Sequence, residues 1–511
     1  MFYTGNIRNS NPFNRYQIMH MTQVLAVENA TLKFRDKILF TGLNLTINKG
    51  EHWAIVGESG SGKSALLQLL AGRGFLSTGS ISNYYYNEYL GIHPVSDPLF
   101  SHRNLVSFVR AGNDLMGGGI QRFFYQQRYN AGFSDNTETV EDYFKEISGM
   151  DKPSGKWDIG SVYETFNLSP LHKKHLSKLS NGESKRVRIG AALLKNPLLL
   201  LLDNPLSGLD FDTRVKFEAI FSRIAQSGIT IVMVTNPDEI PKVITHVAIA
   251  EKNRKLNILK KNEFNPVQWE ADTPDVPDAR KIRQLLRQRE ILDSEVLVSM
   301  KNVRVAYGES LIFDNINWEI KQGERWALSG PNGSGKSTLL GLINGDHPQA
   351  YANEISLFGR RRGTGETIWD IKKRIGFMSP ELELYFPDNY ACIQVVESGF
   401  FDTIGLFSKA TEENRQIAEQ WMEIMGLPEH KERYLYEVSN SEKRLCLLAR
   451  SLVKNPCLLL LDEPCTGLDT SQQKHFKNII DTMASLSNIA IIYVTHHRET
   501  LPDCITGILE L

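Results

Sequence analysis

The chain repeats itself, and that limits its fold more than any other feature. "KGEHWAIVGESGSGKSALLQLLAGR" from Lys49 returns as "QGERWALSGPNGSGKSTLLGLINGD" from Gln322. "LSNGESKRVRIGAALLKNP" from Leu179 returns as "VSNSEKRLCLLARSLVKNP" from Val438, and "GITIVMVTN" from Gly228 as "NIAIIYVTH" from Asn488. Repeats this long, in one order over 511 residues, mean two homologous domains with a core each, not a solenoid. In each copy strand-like runs alternate with helical patterns, so an α/β class with a largely parallel sheet is expected. The expected division is a disordered or start-artefact segment 1–20, a first domain 21–254, a linker 255–295 and a second domain 296–511. The linker reading rests on Pro266, Pro274 and Pro277, followed by "DARKIRQLLRQREILDSE", which reads as a short polar helix. The Gly-rich "AGNDLMGGG" from Ala111 reads as an extended loop that only the first copy carries.

Each copy holds the pattern G-x-x-x-x-G-K-[ST]. The first is Gly57, Glu58, Ser59, Gly60, Ser61, Gly62, Lys63 and Ser64; the second is Gly330, Pro331, Asn332, Gly333, Ser334, Gly335, Lys336 and Ser337, followed by Thr338. Each follows an apolar strand and opens a helical pattern, the context in which such a loop wraps phosphate oxygens with backbone N–H groups. Lys63 and Lys336 would reach the outer phosphates, and Ser64 and Ser337 would ligate Mg²⁺. Leucine runs suited to strands buried on both faces end in Asp203 and Asp462, where open α/β sheets place ligands. These acids are expected on the Mg²⁺ side, and Glu463 is placed to polarise water. The first copy has Asn204 at that position.

The order of these motifs resembles the ATP-binding cassette ATPases over almost the whole chain past residue 21. The likeness implies two P-loop NTPase domains, with ATP and Mg²⁺ as cofactors and two ATPs sandwiched head to tail. In that family a signature motif contacts the γ-phosphate bound by the opposite cassette. Here that motif is Ser180, Asn181, Gly182 and Glu183 in the first copy, and Ser439, Asn440 and Ser441 in the second. A Ser that caps a helix start gives the role a physical basis. Site A then joins the first phosphate loop to the second signature, and site B joins the second loop to the first signature.

The departures from the family pattern sort by site. Site A has Asn204 for the catalytic Glu, Asn236 for the switch His, and Ser441 for a signature Gly, where a side chain would hinder close backbone approach. Site B keeps Glu463, His496, Ser180 and Gly182. The expectation is division of labour: site A holds ATP and site B turns over. One departure touches site B. Ser379 and Pro380 stand where the Gln that senses Mg²⁺ and a membrane partner is expected; in the first copy Gln127 or the adjacent Gln126 fills that role. Phe34 and Tyr307 are candidate adenine-stacking residues.

"INGDHPQAYANEISLFGRRRGTGETIWDIKKRIGF" from Ile343 carries a narrower likeness, to the ModF or PhrA type of tandem cassette, whose names speak of molybdate transport and photorepair. It implies the energy-coupling ATPase of a transport system, with an integral membrane permease as partner. The alternative is a non-transport ATPase with a regulatory, DNA-repair or ribosome-associated role. "SGLD" and "TGLD" in place of "TNHLD", and a linker near 40 residues, argue against the ribosome-binding branch. A net charge of −1 gives no whole-chain case for nucleic acid or an anionic membrane; Arg360 to Arg362 could bind an anion or a nucleic-acid backbone, but a solvated loop is the favoured reading. No apolar run approaches the roughly 18 residues of a membrane helix, and the N-terminus has no h-region. Five cysteines without metal spacing read as reduced thiols. A cytoplasmic monomer with intramolecular domain pairing is expected, peripheral at the inner membrane face if it powers transport.

Overall fold

A computed structural model describes residues 22–34, 37–110, 138–150, 153, 155–176, 179–209, 211–251, 253–266, 278–286, 294–308, 310–331, 333–387, 389–404, 409–495 and 500–511. In the first half the strands are β1 (Gln23–Phe34), β2 (Lys37–Asn48), β3 (Trp53–Gly57), β4 (Leu76–Asn83), β5 (Val106–Val109), β6 (Leu199–Asp203), β7 (Thr230–Val234), β8 (His246–Ala250) and β9 (Leu256–Lys260). They form an antiparallel sheet β2-β1-β4 and a sheet β5-β6-β7-β3-β8-β9, parallel except at β9. The second half repeats this with β10 (Val296–Tyr307), β11 (Ser310–Lys321), β12 (Arg325–Ser329), β13 (Glu354–Leu357), β14 (Arg360–Arg361), β15 (Ile375–Met378), β16 (Leu458–Asp462), β17 (Ala490–Val494) and β18 (Gly507–Glu510). Its sheets are β11-β10-β13-β14 and the parallel β15-β16-β17-β12-β18. The two-domain α/β architecture read from the repeat is the architecture of the chain.

The leucine runs explain how the layers are held. Leu199 to Leu202 are fully buried in β6, and alternation sends them to opposite faces. Leu199 and Leu201 join a core with Phe40 and Leu66 toward the antiparallel sheet. Leu200 and Leu202 join another with Phe144 and Phe217 toward the helices. In β16, Leu458 and Leu460 face the antiparallel side, and Leu459 and Leu461 the helical side. Truncating any of these to Ala would cost about 2–5 kcal/mol. Because β3, β6 and β7 run parallel, their C-terminal ends share one edge, where open α/β sheets place ligands.

The linker differs from the reading over 255–295. Leu256–Lys260 is a strand that pairs with β8, so it completes the first domain's sheet. The sequence hid it because "LNILK" is an edge strand with two exposed polar positions. At the other end, the helix Ala279–Leu286 belongs with the second domain. Ile282 and Leu286 enter that domain's core, and Lys281 pairs with Glu423 at 2.7 Å. Segments 1–20 and 111–119 lie outside the described residues.

Candidate ATP sites at the domain interface

Both phosphate loops have the same construction. Gly57 and Gly330 each take φ 147°, a value that side-chain-bearing residues avoid, and a Cβ at either would lie within 2.6 Å of a backbone carbonyl oxygen, Ala250 O or Leu511 O. The helices Lys63–Leu70 and Lys336–Ile343 start after Gly62 and Gly335, both at positive φ. Lys63 Nζ donates to the carbonyls of Gly57 and Glu58 at 2.7 and 2.6 Å; Lys336 Nζ donates to those of Gly330 and Pro331, both at 2.8 Å. Burial pushes the Lys63 ammonium down to about 8, against the pull of Asp469, Asp203 and Glu58. Inside the loops, Ser61 Oγ and Ser334 Oγ are buried with no hydrogen-bond partner. A glycine cradle, an ammonium at its mouth and an orphaned hydroxyl fit a bound phosphate chain. Thr338 follows on the second helix, and Asn332 lies outside the described residues.

The acids at the strand ends meet the loop serines. Ser337 Oγ donates to Asp462 Oδ2 at 3.0 Å, and Ser64 makes the corresponding bond to Asp203. Burial raises the Asp203 carboxyl, and the Ser64 bond and Lys63 partly offset it. A hydroxyl beside a carboxylate is a hard-oxygen pair that suits Mg²⁺.

Asn204 and Glu463 occupy one backbone position, with φ 49° and 46°. Most non-glycine residues at positive φ in the described chain are Asn, which tolerates that region; Glu does not. Asn204 is therefore relaxed, while Glu463 is held against its preference at a cost on the order of 1 kcal/mol. Asn204 Nδ2 donates to Asp203 Oδ1 at 3.2 Å, and Glu463 Oε2 accepts from Thr466 Oγ1 at 3.1 Å. Asn236 Nδ2 donates to Glu239 Oε2 at 3.2 Å. His496, Gln126 and Gln127 lie outside the described residues.

The signature segments start helices. Ser180 and Ser439 are the N-caps of Asn181–Leu193 and Asn440–Leu452. In each, the hydroxyl accepts from the backbone N–H of Glu183 or Glu442 at 3.3 Å, and that Glu accepts from the Ser N–H in return. The same carboxylates take up basic side chains: Lys174 pairs with Glu183 at 2.7 Å, and His430 Nε2 lies 3.2 Å from Glu442 Oε1. Burial opposes ionisation of Glu442, yet His430 and the Ser439 bonds hold its carboxyl down to about 2, from an ordinary 4.5. A depressed carboxyl adds stability above the unfolded value, lost as pH falls through the folded one. Glu442→Gln should therefore cost about 1–3 kcal/mol at pH 7 and progressively less between pH 4.5 and 2. Denaturant melts at pH 7 and pH 3 test this; an equal loss at both would contradict a stabilising role for the Glu442 carboxylate.

The halves meet at these segments. Ser59 N, in the first phosphate loop, donates to Asp469 Oδ2 of the second half at 2.8 Å, and Ser59 Oγ lies 3.2 Å from Ser439 Oγ. Lys185, on the first signature helix, interacts electrostatically with Glu463 of the second half; burial pushes the Lys185 ammonium down to about 7. The first loop thus faces the second signature, and Lys185 on the first signature helix lies within electrostatic reach of Glu463. Asp469, Thr466 and Lys185 were not singled out from the sequence. Asp469 had a signal: it caps the helix Thr470–Leu486 through Oδ1, at 2.8 Å from Gln472 N, which leaves Oδ2 for Ser59.

The Ser441 hydroxyl donates to Gly467 O at 2.8 Å in its own half, beside the Ser59–Ser439 contact. A Cβ at Gly182 would come no nearer than 3.5 Å to its neighbours, so its own half does not require a glycine there. Ser379 and Pro380 form a helix start, with Ser379 Oγ accepting from Leu382 N at 3.3 Å and Pro380 first in the turn. Tyr307, at the end of β10, shares a 2.7 Å hydrogen bond with His347 Nε2 through its hydroxyl. Phe34 ends β1, at the matching place.

The ABC transporter family profile matches residues 40–207 and 313–466, one stretch in each domain. The chain is 34% identical over 510 residues to "ABC transporter ATP-binding protein ModF" of Escherichia coli K12, covering 95% of this chain and 96% of the relative. It is 30% identical to an uncharacterized ABC transporter ATP-binding protein of Schizosaccharomyces pombe, over 91% and 93% of the two chains. Among solved structures, a ribosome-bound archaeal Pelota and ABCE1 assembly aligns with a TM-score of 0.57 at 18% identity, covering 95% of this chain and 76% of that one, a likeness of fold. With two cassette domains and a full-length ModF relative, the chain belongs to the ABC transporter ATP-binding family and resembles ModF.

Proposed function

We propose that the chain is an ATPase with two unequal sites, of which site B hydrolyses ATP and site A retains it. The observation that carries this is the contact of Ser59 with Asp469 and Ser439, because it supports pairing each loop with the opposite signature. On that pairing, Asn204 falls in site A, with Ser439 opposite, and Glu463 falls in site B, with Lys185 opposite. Glu463 would take the proton of the attacking water, its carboxylate steadied by Thr466; Asn204 has no acceptor of comparable basicity. Lys336 would bind the outer phosphates in site B, and Ser180 would close the site from across the interface. His496 would assist at the γ-phosphate by family likeness. Mg²⁺, held by Ser337 and Asp462 in site B and by Ser64 and Asp203 in site A, would neutralise charge on the phosphate oxygens.

The role we favour is energy coupling for a transport system, molybdate-type by the likeness to ModF. None of the described helices is long and apolar enough to cross a membrane, so a separate permease would be required. The helix start at Ser379 and Pro380, where coupling cassettes carry a Gln, favours instead an ATPase that acts without a membrane partner. Crosslinking in native membranes, followed by identification of the captured chains, separates the two. Transport requires an integral membrane protein in the product. Its absence, with the chain recovered in the soluble fraction, would favour the second role.

A further inference from the structure

Beside the β13–β14 hairpin lies a cavity of about 180 Å³, and none of its lining residues comes from a phosphate loop, a strand-end acid or a signature helix. We propose that this cavity binds a small oxyanion.

The cavity carries a surplus of positive charge. Arg360, Arg362 and Arg374 line the cavity with Glu366 and Asp370, leaving one positive charge in surplus. The acids are already engaged. Glu366 accepts from Arg362 Nη1 and Gly363 N at 2.7 Å each and from Thr364 N at 3.0 Å; Asp370 Oδ2 accepts from the N–H and hydroxyl of Thr367 at 2.9 and 2.8 Å.

One of its donors is unanswered. The Arg362 side chain is 1% exposed. Its Nη1 serves Glu366, its Nη2 donates to Tyr351 Oη at 3.1 Å, and its guanidinium lies 4.8 Å from the Tyr351 ring centre. Its Nε is buried without a partner. A buried, charged N–H is seldom left so, and a ligand oxygen in the cavity would satisfy it.

Its apolar floor is strained. Phe358 takes φ 54°, in the left-handed region that a bulky aromatic avoids, anchored by its N–H to Leu297 O at 2.7 Å. This brings its ring to 5.6 Å from the Arg374 guanidinium. Guanidinium forks over an apolar floor suit a phosphate or carboxylate group carried on a small organic body.

The test uses the full chain with both phosphate loops saturated by Mg²⁺ and a non-hydrolysable ATP analogue, so that added anion does not report from there. Trp369, 53% exposed on the helix Ile368–Lys372 that supplies Asp370 and Ile371, is the fluorescent probe, with Trp369→Phe as the blank. Inorganic phosphate and acetate are titrated separately. Expected is a saturable change at millimolar concentration or below with one of them, at least tenfold weaker in Arg360→Gln and in Arg362→Lys. A response to phosphate alone assigns a phosphorylated ligand, and to acetate alone a carboxylate. If Arg362→Lys fails to fold for want of its pairing with Glu366, the exposed Arg360 decides alone. No saturable change with either anion, or a response that Arg360→Gln leaves intact, overturns the proposal.

Discussion

Glu463→Gln should lower steady-state ATPase by roughly 10²-fold or more, while Asn204→Ala should leave it within about twofold. The two residues share one backbone position, one on each domain, so a site-blind account predicts similar losses. The account here does not, because the amide of Asn204 cannot take a proton from water and already bonds to Asp203 Oδ1 at 3.2 Å. Asn204→Ala should still weaken the fold by about 1 kcal/mol, since Ala tolerates φ near 49° less well than Asn. Activity and stability therefore move apart: Glu463→Gln loses rate with little change in melting, and Asn204→Ala does the reverse. Comparable rate losses in both variants would remove the division of labour.

Ser180→Arg should abolish turnover as completely as Lys336→Ala, although the two residues lie in different domains. The Ser180 hydroxyl caps the helix that would close on the second phosphate loop, and an arginine there blocks the approach and removes the cap. Loss of the cap costs about 1 kcal/mol, so a melting curve separates misfolding from the block. The Ser439 hydroxyl lies 3.2 Å from that of Ser59 in site A, so Ser439→Arg should loosen nucleotide retention while leaving much of the rate. If Ser180→Arg proved as mild as Ser439→Arg is expected to be, head-to-tail pairing would be the wrong frame.

Much of this was legible in the sequence because it rests on short-range rules. The two glycine loops, the buried leucine runs and the Ser-x-x-Glu caps are local patterns, and they gave the sheet, the loops and the helix starts. The partition of Asn204, Asn236 and Ser441 from Glu463 also came from spacing, once the pairing was supplied by family likeness. What stayed hidden depends on distant partners or on backbone angles. The left-handed backbone at Asn204 and Glu463 is set by the turn leaving the strand, which nothing in "LDNP" or "LDEP" announces. Lys185 reads as one of several helical basic residues, until the fold sets it near Glu463. The side-chain partners of Glu183 and Glu442 sit 9 and 12 residues upstream and differ in kind, Lys174 against His430. β9 was lost to the linker because an exposed edge strand carries little apolar alternation.

The most direct measurement is of the nucleotide that stays with the protein. After several turnovers with Mg²⁺ and ATP labelled in base and γ-phosphate, rapid desalting separates bound from free, and the bound fraction is identified. The account predicts about one intact ATP per chain, lost in Lys63→Ala and kept in Lys336→Ala, because retention belongs to the loop facing Ser439 and Asp469. Bound nucleotide that is wholly ADP, or retention that disappears in Lys336→Ala and survives in Lys63→Ala, would contradict it.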